Sequence, residues 1–274
     1  MNYSDYQKYL KIWIDILTPK QLLFSEPIVE RLRVKHDLLC TSREYDEVSK
    51  LSKIRHFDLI FVGKHGGGDK KTKLEASIER INKLSKKIEK FKPDLVISFG
   101  SPEAARISFG LGIKHIMFCD SPHANAVMRL TLPLIQKLLI PYVIPKKEFS
   151  KYGINEKNIV QYKAIDAVVT IKREINEKIV SPFKNNNKKN ILIRVEEEEA
   201  AYTSKSSKII PIIQKIANDY KDENIIVLGR YTEQILNLQK VIGNKVKIIK
   251  MSFDGKYLLK NTDIFIGSGG TMTA

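Results

Sequence analysis

Short apolar runs rich in β-branched residues alternate along this chain with longer amphipathic stretches, and that alternation confines it to one fold class. The runs are Ile12–Ile16, Asp58–Val62, Asp94–Phe99, Lys114–Phe118, Leu139–Ile144, Ile191–Val195, Ile225–Leu228, Val246–Ile249 and Asp263–Ile266. Each is too short for a helix and almost unbroken in apolarity, as expected of strands covered on both faces. Between them the spacing predicts helices. Lys71–Phe91 sets Leu74, Ile78, Ile81, Leu84 and Ile88 on one face, and Ser207–Tyr220 repeats the pattern with Ile209, Ile212, Ile213 and Ile216. Strands alternating with helices predict an α/β protein with doubly wound parallel sheets.

The 274 residues suffice for two domains at roughly 100–200 residues each. The polar stretch Ser181–Asn190 has a proline and no apolar period, so it predicts a linker between a first domain, 1–180, and a second, 181–274. The final run enters Gly267-Ser268-Gly269-Gly270-Thr271-Met272-Thr273-Ala274 with no helix after it to cover the sheet. The second domain is therefore expected to be incomplete, and the chain to be a piece of a longer protein.

Lys and Arg outnumber Asp and Glu by 47 to 31, a net charge of +16. Such an excess favours anionic partners without choosing among them. The lysines are spread along the helical stretches and no basic-aromatic recognition motif appears, so nucleic acid is not the expected partner. Cys40 and Cys119 each end an apolar run and are expected as buried free thiols. Met1–Leu10 is too polar for a signal peptide, and Leu130–Ile144 is too short and too broken for a membrane span. A cytoplasmic location is the simplest expectation. Leu130–Ile144, flanked by Lys146 and Lys147, is expected to be a core helix followed by a strand; docking to an acidic lipid surface that carries a lipid-linked acceptor is the second reading.

In open α/β sheets ligands bind beyond the carboxyl ends of strands, so candidate residues lie in the loops there. Gly267, Gly269 and Gly270 let backbone N–H groups approach an anion, and Thr271 adds a hydroxyl, a pattern suited to phosphate or ribose. Gly63-Lys64-His65-Gly66-Gly67-Gly68 has the wrong order for a P-loop; Lys64 could bind a phosphate and His65 serve as a base, unless the loop is only a surface turn. Ser101 precedes Pro102 and Glu103, which makes it a helix cap that could also meet a substrate oxygen. Asp120 and His123 follow the run Lys114–Phe118 and could transfer protons, although Asp-Ser-Pro is also an ordinary helix start. Thr18-Pro19-Lys20-Gln21 follows the first strand and by itself says little. A helix is expected to start beyond Glu26-Pro27. Arg194 ends a strand and suits a diphosphate clamp, while Glu196–Glu199 suggest a solvated loop. No Cys/His cluster suggests a metal site.

Taken in order, Ile12–Ile16, Gly63–Gly66, Gly100–Arg106, Asp120–Pro122, Val160–Tyr162, Arg194–Glu198 and Gly267–Thr273 resemble the archaeal DUF354 family over nearly the whole chain. That family is similar in turn to GT-B-fold glycosyltransferases and UDP-N-acetylglucosamine 2-epimerases. The resemblance implies two Rossmann-like domains facing a cleft, the second holding a nucleotide sugar and the first its acceptor. It implies Gly269, Gly270 and Thr271 on the diphosphate, Arg194 nearby, and Asp120 or His65 facing the sugar. No cofactor is implied, because the nucleotide sugar is itself the substrate. A sugar-nucleotide-dependent glycosyltransferase is the first expectation. An epimerase on the same substrate is the second, and a non-catalytic binding or scaffold protein of that fold the third.

Overall fold

The computed structural model describes residues 9–172, 181–184, 186–195, 209–229, 232–249 and 255–267. The chain divides into two compact units, Met1–Val169 and Thr170–Ala274.

Unit 1 is a seven-stranded parallel sheet. Its strands are β1 (Lys11–Asp15), β2 (Asp37–Glu44), β3 (Ile60–Lys64), β4 (Leu95–Phe99), β5 (Lys114–Phe118), β6 (Lys137–Pro141) and β7 (Ile159–Tyr162), in the order β3-β2-β1-β4-β5-β6-β7. Its main helices are α1 (Pro19–Arg33), α2 (Asp46–Ile54), α3 (Lys70–Phe91), α4 (Pro102–Gly110) and α5 (Asn125–Thr131), followed by the short α6 (Lys147–Ser150). The strand order reverses between β1 and β4, which pair directly through Ile12–Asp15 and Leu95–Ser98. There the connections leave toward opposite faces and open a crevice at the strand ends. Ile12, Trp13 and Ile14 on β1 are buried, as are Val96 and Met117 on neighbouring strands. Each buried Ile, Val or Met side chain among them contributes about 1.5–3 kcal/mol.

Two strands, β2 and β7, stand where the apolar-run criterion found none. The second half of β2, Thr41-Ser42-Arg43-Glu44, is polar, and β7 is an edge strand that exposes Val160 and Gln161. α1 begins at Pro19, not beyond Pro27, which lies inside it. The Leu130–Ile144 stretch divides into the end of α5, a 3₁₀ turn at Leu132–Leu134 and β6. On α3 the expected apolar face is only half right. Leu84 and Ile88 are buried, Leu74 and Ile78 are exposed, and Arg80 is buried in full. The helix turns Arg80 inward because a buried carboxylate on β1 requires it, as described below.

Unit 2 holds a four-stranded parallel sheet of β8 (Asn190–Arg194), β9 (Asn224–Leu228), β10 (Lys247–Ile249) and β11 (Ile264–Ile266), in the order β10-β9-β8-β11. Its helices include α7 (Ala167–Lys172, shared with the unit boundary), α8 (Ile209–Asp219), α9 (Thr232–Ile242) and α10 (Gly255–Lys260). Ile209 and Ile213 of α8 and Leu238 and Ile242 of α9 pack on Ile191, Ile193 and Val227. The reversal of order falls between β8 and β11, so the same topological device recurs.

Candidate active site

Lys20 is set at the carboxyl edge of unit 1 by the way α1 begins. Thr18 caps the helix, its Oγ1 accepting from the Gln21 N–H at 3.4 Å, and Pro19 follows as its first residue. Gln21 is buried and binds on both sides. Its Oε1 accepts from the Leu17 N–H at 2.6 Å, and its Nε2 donates to the Phe99 carbonyl at 2.7 Å. The loop after β1 is thereby tied to the end of β4, at the point where the strand order reverses.

From there the Lys20 ammonium forms an ion pair with Asp120, just past β5, and lies 3.1 Å from Asp166 Oδ2, past β7. It also stands 4.8 Å from the centre of the Phe99 ring. The Ser121 hydroxyl donates to Asp120 Oδ1 at 2.9 Å, and the Tyr162 hydroxyl donates to Asp166 Oδ1. The two carboxylates are almost wholly covered, at 4% and 1% side-chain exposure, whereas Lys20 retains 25%. One ammonium thus serves two carboxyl groups. Burial raises the Asp166 pKa, and the charge of Asp120 adds to that; the Tyr162 hydrogen bond and Lys20 only partly offset it. Burial also pushes Tyr162 upward, reinforced by Asp166 and Asp120, so its hydroxyl stays protonated and donates. A covered cluster of this kind is able to hold and release a proton. Asp120 does not cap a helix, since α5 starts at Asn125 and lacks a side-chain cap.

A second polar group lies behind it and serves the fold. Asp15 ends β1 fully buried. Arg80 Nη2 donates to its Oδ1 at 2.6 Å and Nη1 to its Oδ2 at 3.1 Å. Thr41 and Ser101 hydroxyls donate to it at 2.6 and 2.7 Å, and Trp13 Nε1 donates to Thr41 at 2.7 Å. Burial alone would raise the Asp15 pKa, but Arg80 and these donors hold it below the ordinary value. Ser101 is wholly buried, and its oxygen also accepts from the Ala104 N–H at 3.1 Å as the cap of α4. Its hydroxyl is therefore engaged inside unit 1. His115 is buried too, its ring nitrogens 2.8 Å from Ser98 Oγ and 3.0 Å from Ser108 Oγ, and burial lowers its pKa to about 4.

Lys64 and His65 lie elsewhere. β3 is separated from β5 by β2, β1 and β4, four strand spacings or about 19 Å. His65 and Asp120 therefore do not meet at one reacting bond. His65 Nδ1 accepts from the Gly67 N–H at 3.1 Å, and its ring stacks on Tyr45 with centroids 5.0 Å apart. Lys64 is exposed at the end of β3. Gly63 and Gly66 answer to packing. A Cβ on Gly63, whose φ is +72°, would stand 2.9 Å from Arg80 Cβ, and one on Gly66 would stand 2.5 Å from Lys73 Cα.

In unit 2 the register brings two expected residues together. β11 pairs with β8 through Ile266 and Ile193, so Gly267 and Arg194 leave adjacent strands side by side at the reversal of order. A Cβ on Gly267 would lie 3.6 Å from Arg194 Cβ and 2.9 Å from Phe265 Cζ. Gly269, Gly270 and Thr271 lie outside the described residues, as do Glu196–Glu199. Among the described residues no group of His, Cys, Asp and Glu could hold a metal ion, and no helix is long and apolar enough to cross a membrane.

Residues 10–274 match the model of DUF354, described as a protein of unknown function. The chain belongs to the DUF354 family. This DUF354 protein is 29% identical over 275 residues to an uncharacterized protein of Methanocaldococcus jannaschii, covering 96% of the chain and 77% of that relative. Its fold is similar to that of UDP-GlcNAc 2-epimerase from Neisseria meningitidis bound to UDP-GlcNAc, with a TM-score of 0.75 at 18% identity over 96% of this chain and 78% of the other. It is also similar to the glycotransferase of kitacinnamycin, with a TM-score of 0.57 at 11% identity, covering 96% and 76%. The DUF354 chain thus has a GT-B-like fold.

The sequence patterns single out neither Asp166 nor Arg80, and Lys20 stands in a loop, Thr18–Gln21, that by itself says little. The signals were there in part: Asp15 is an acid closing an otherwise apolar strand, and Tyr162 closes a quoted segment. Lys20 and Arg80, however, find their carboxylate partners in distant parts of the sequence.

Proposed function

We propose that this DUF354 protein acts on a nucleotide sugar, and that Lys20, Asp120, Asp166 and Tyr162 carry the proton transfers. The observation that supports this reading most is the single ammonium shared by two buried carboxyl groups whose surroundings differ. Asp120, paired with Lys20 and hydrogen-bonded by Ser121, acts as base. Asp166, with its raised pKa, is the acid. The unlike surroundings of the two carboxyl groups assign the two roles. A reaction that takes a proton from the sugar and returns one needs both, which favours epimerisation. The neighbouring fold of an enzyme named as a UDP-GlcNAc 2-epimerase supports the same choice.

Glycosyl transfer is the second reading. It needs only one base, for which Asp120 suffices, and likeness to a glycotransferase favours it. For either chemistry we assign the phosphates to unit 2, to Arg194, Gly267 and the continuing loop with Gly269, Gly270 and Thr271. A guanidinium beside backbone N–H groups suits a diphosphate.

Thermal-shift measurements with UDP-, GDP-, CMP- and dTDP-sugars test the substrate class, and product analysis tests the chemistry. Epimerisation leaves the sugar on its nucleotide, whereas transfer releases the nucleotide. Absence of a saturable shift with every sugar nucleotide would refute the reading.

A further inference from the structure

A surface cavity of about 540 Å³ opens in unit 1 beyond the Asp120 loop. His123, Asn125, Arg129, Glu148, Lys151 and Tyr152 line it. Tyr152 is its fixed point. The ring's hydroxyl lies 2.6 Å from Asn125 Oδ1 and 3.1 Å from the Pro122 carbonyl, two residues past Asp120. Two cations gather on that ring, the Arg129 guanidinium 6.0 Å and the Lys151 ammonium 5.5 Å from its centre. Their counter-charge is incomplete. Glu148 pairs with Lys151 at 2.8 Å, and among the described residues no carboxylate pairs with Arg129.

We propose that this cavity binds an oxyanion, a phosphoryl or carboxylate group, at Arg129 with Lys151 beside it. A guanidinium presents a planar fork of donors that matches either group. Glu148 is the carboxylate that an incoming anion must tolerate, and Lys151 already neutralises it. On the function proposed above, the group belongs to the reacting molecule, which is then an acidic sugar or a phosphorylated acceptor. Oxyanion binding itself stands without that function.

Site-resolved NMR titration of the whole chain tests the proposal, with inorganic phosphate and acetate as separate probes. Saturable shifts of the Arg129 Nε–H and Asn125 side-chain signals are expected. The probe with the higher affinity identifies the phosphoryl or the carboxylate form. Arg129→Gln should weaken that response about tenfold or more. Arg129 is exposed, so the variant should fold; Asn125→Asp, which adds a repelling charge, gives a second check. Absence of saturation, or equal saturation in Arg129→Gln, would overturn the site. Binding of UDP-GlcNAc, followed separately by thermal shift, should persist in Arg129→Gln. If phosphate titrates the cavity while no sugar nucleotide binds, the function fails and the oxyanion site holds.

Discussion

Lys20 and Asp120 form an ion pair although one hundred positions separate them in sequence. The pair spans the carboxyl ends of β1 and β5, with β4 between them in the sheet. It brings the first turn of α1 against the loop that follows β5, and the ammonium continues to Asp166. Fold and chemistry are joined at this residue. Substituting Lys20→Met removes the ammonium that the two covered carboxyl groups share. Asp166 should then hold its proton to higher pH, and turnover should fall by about 10²–10⁴, the range typical of lost general acid–base catalysis. Steady-state rates across pH check this: the acidic limb of the profile should move upward.

Asp166 makes stability depend on pH in an unusual direction for an acid. Its folded-state pKa is raised, so above the unfolded value of about 3.9 the unfolded chain loses this proton first. The contribution of Asp166 is therefore fully present below that value and is lost as pH rises toward the raised folded pKa. Asp166→Asn should remove this slope. Urea unfolding of both proteins across the acidic range measures it.

His115 acts in the opposite sense. Burial lowers it to about 4, so acidification below about pH 6.5 protonates it only in the unfolded chain. Stability attributable to keeping it neutral is lost as pH falls from about 6.5 to about 4, amounting to about 3 kcal/mol in all. His115→Gln should lose that acid sensitivity, and comparing denaturation midpoints at neutral pH and near pH 4.5 tests it.

Arg80 and Asp15 should behave as a coupled pair. Arg80→Met strands a buried carboxylate and Asp15→Asn strands a buried guanidinium, each costing about 3–5 kcal/mol. The double variant should cost less than the sum of the two. A double-mutant cycle on unfolding free energy checks it, and simple additivity would contradict the coupling.

The alternation of apolar runs gave away the sheets because central strands such as β1 and β8 are covered on both faces and need aliphatic side chains throughout. It missed β2 because its second half is polar and Thr41 there is spent on Asp15, and β7 because an edge strand has less to bury. Arg80 was hidden for a related reason. A charge on a helix ordinarily marks its solvated face, and only the carboxylate on β1 reverses that. Asp120 was legible from its place after a strand. Asp166 was not, since its partner Lys20 comes from the opposite end of unit 1's sequence. The Gly63–Gly68 loop suggested phosphate, yet Gly63 and Gly66 are explained by the close approach of α3.

Gly267 and Arg194 offer a test confined to unit 2. Arg194→Ala should weaken nucleoside diphosphate binding about tenfold or more, as expected on removing a charged hydrogen-bonding group. Gly267→Val should weaken it too, because the new side chain must displace the Phe265 ring. Calorimetric titration with UDP measures both.

The most direct test is turnover, in D₂O and followed by proton NMR, of the sugar nucleotide that gives the largest thermal shift, for the unaltered protein and for Asp120→Asn. The account predicts that the unaltered protein consumes the substrate, with deuterium entering a sugar C–H position if it epimerises. It predicts a rate lower by about 10²–10⁴ in Asp120→Asn. Equal rates in the two proteins would contradict it.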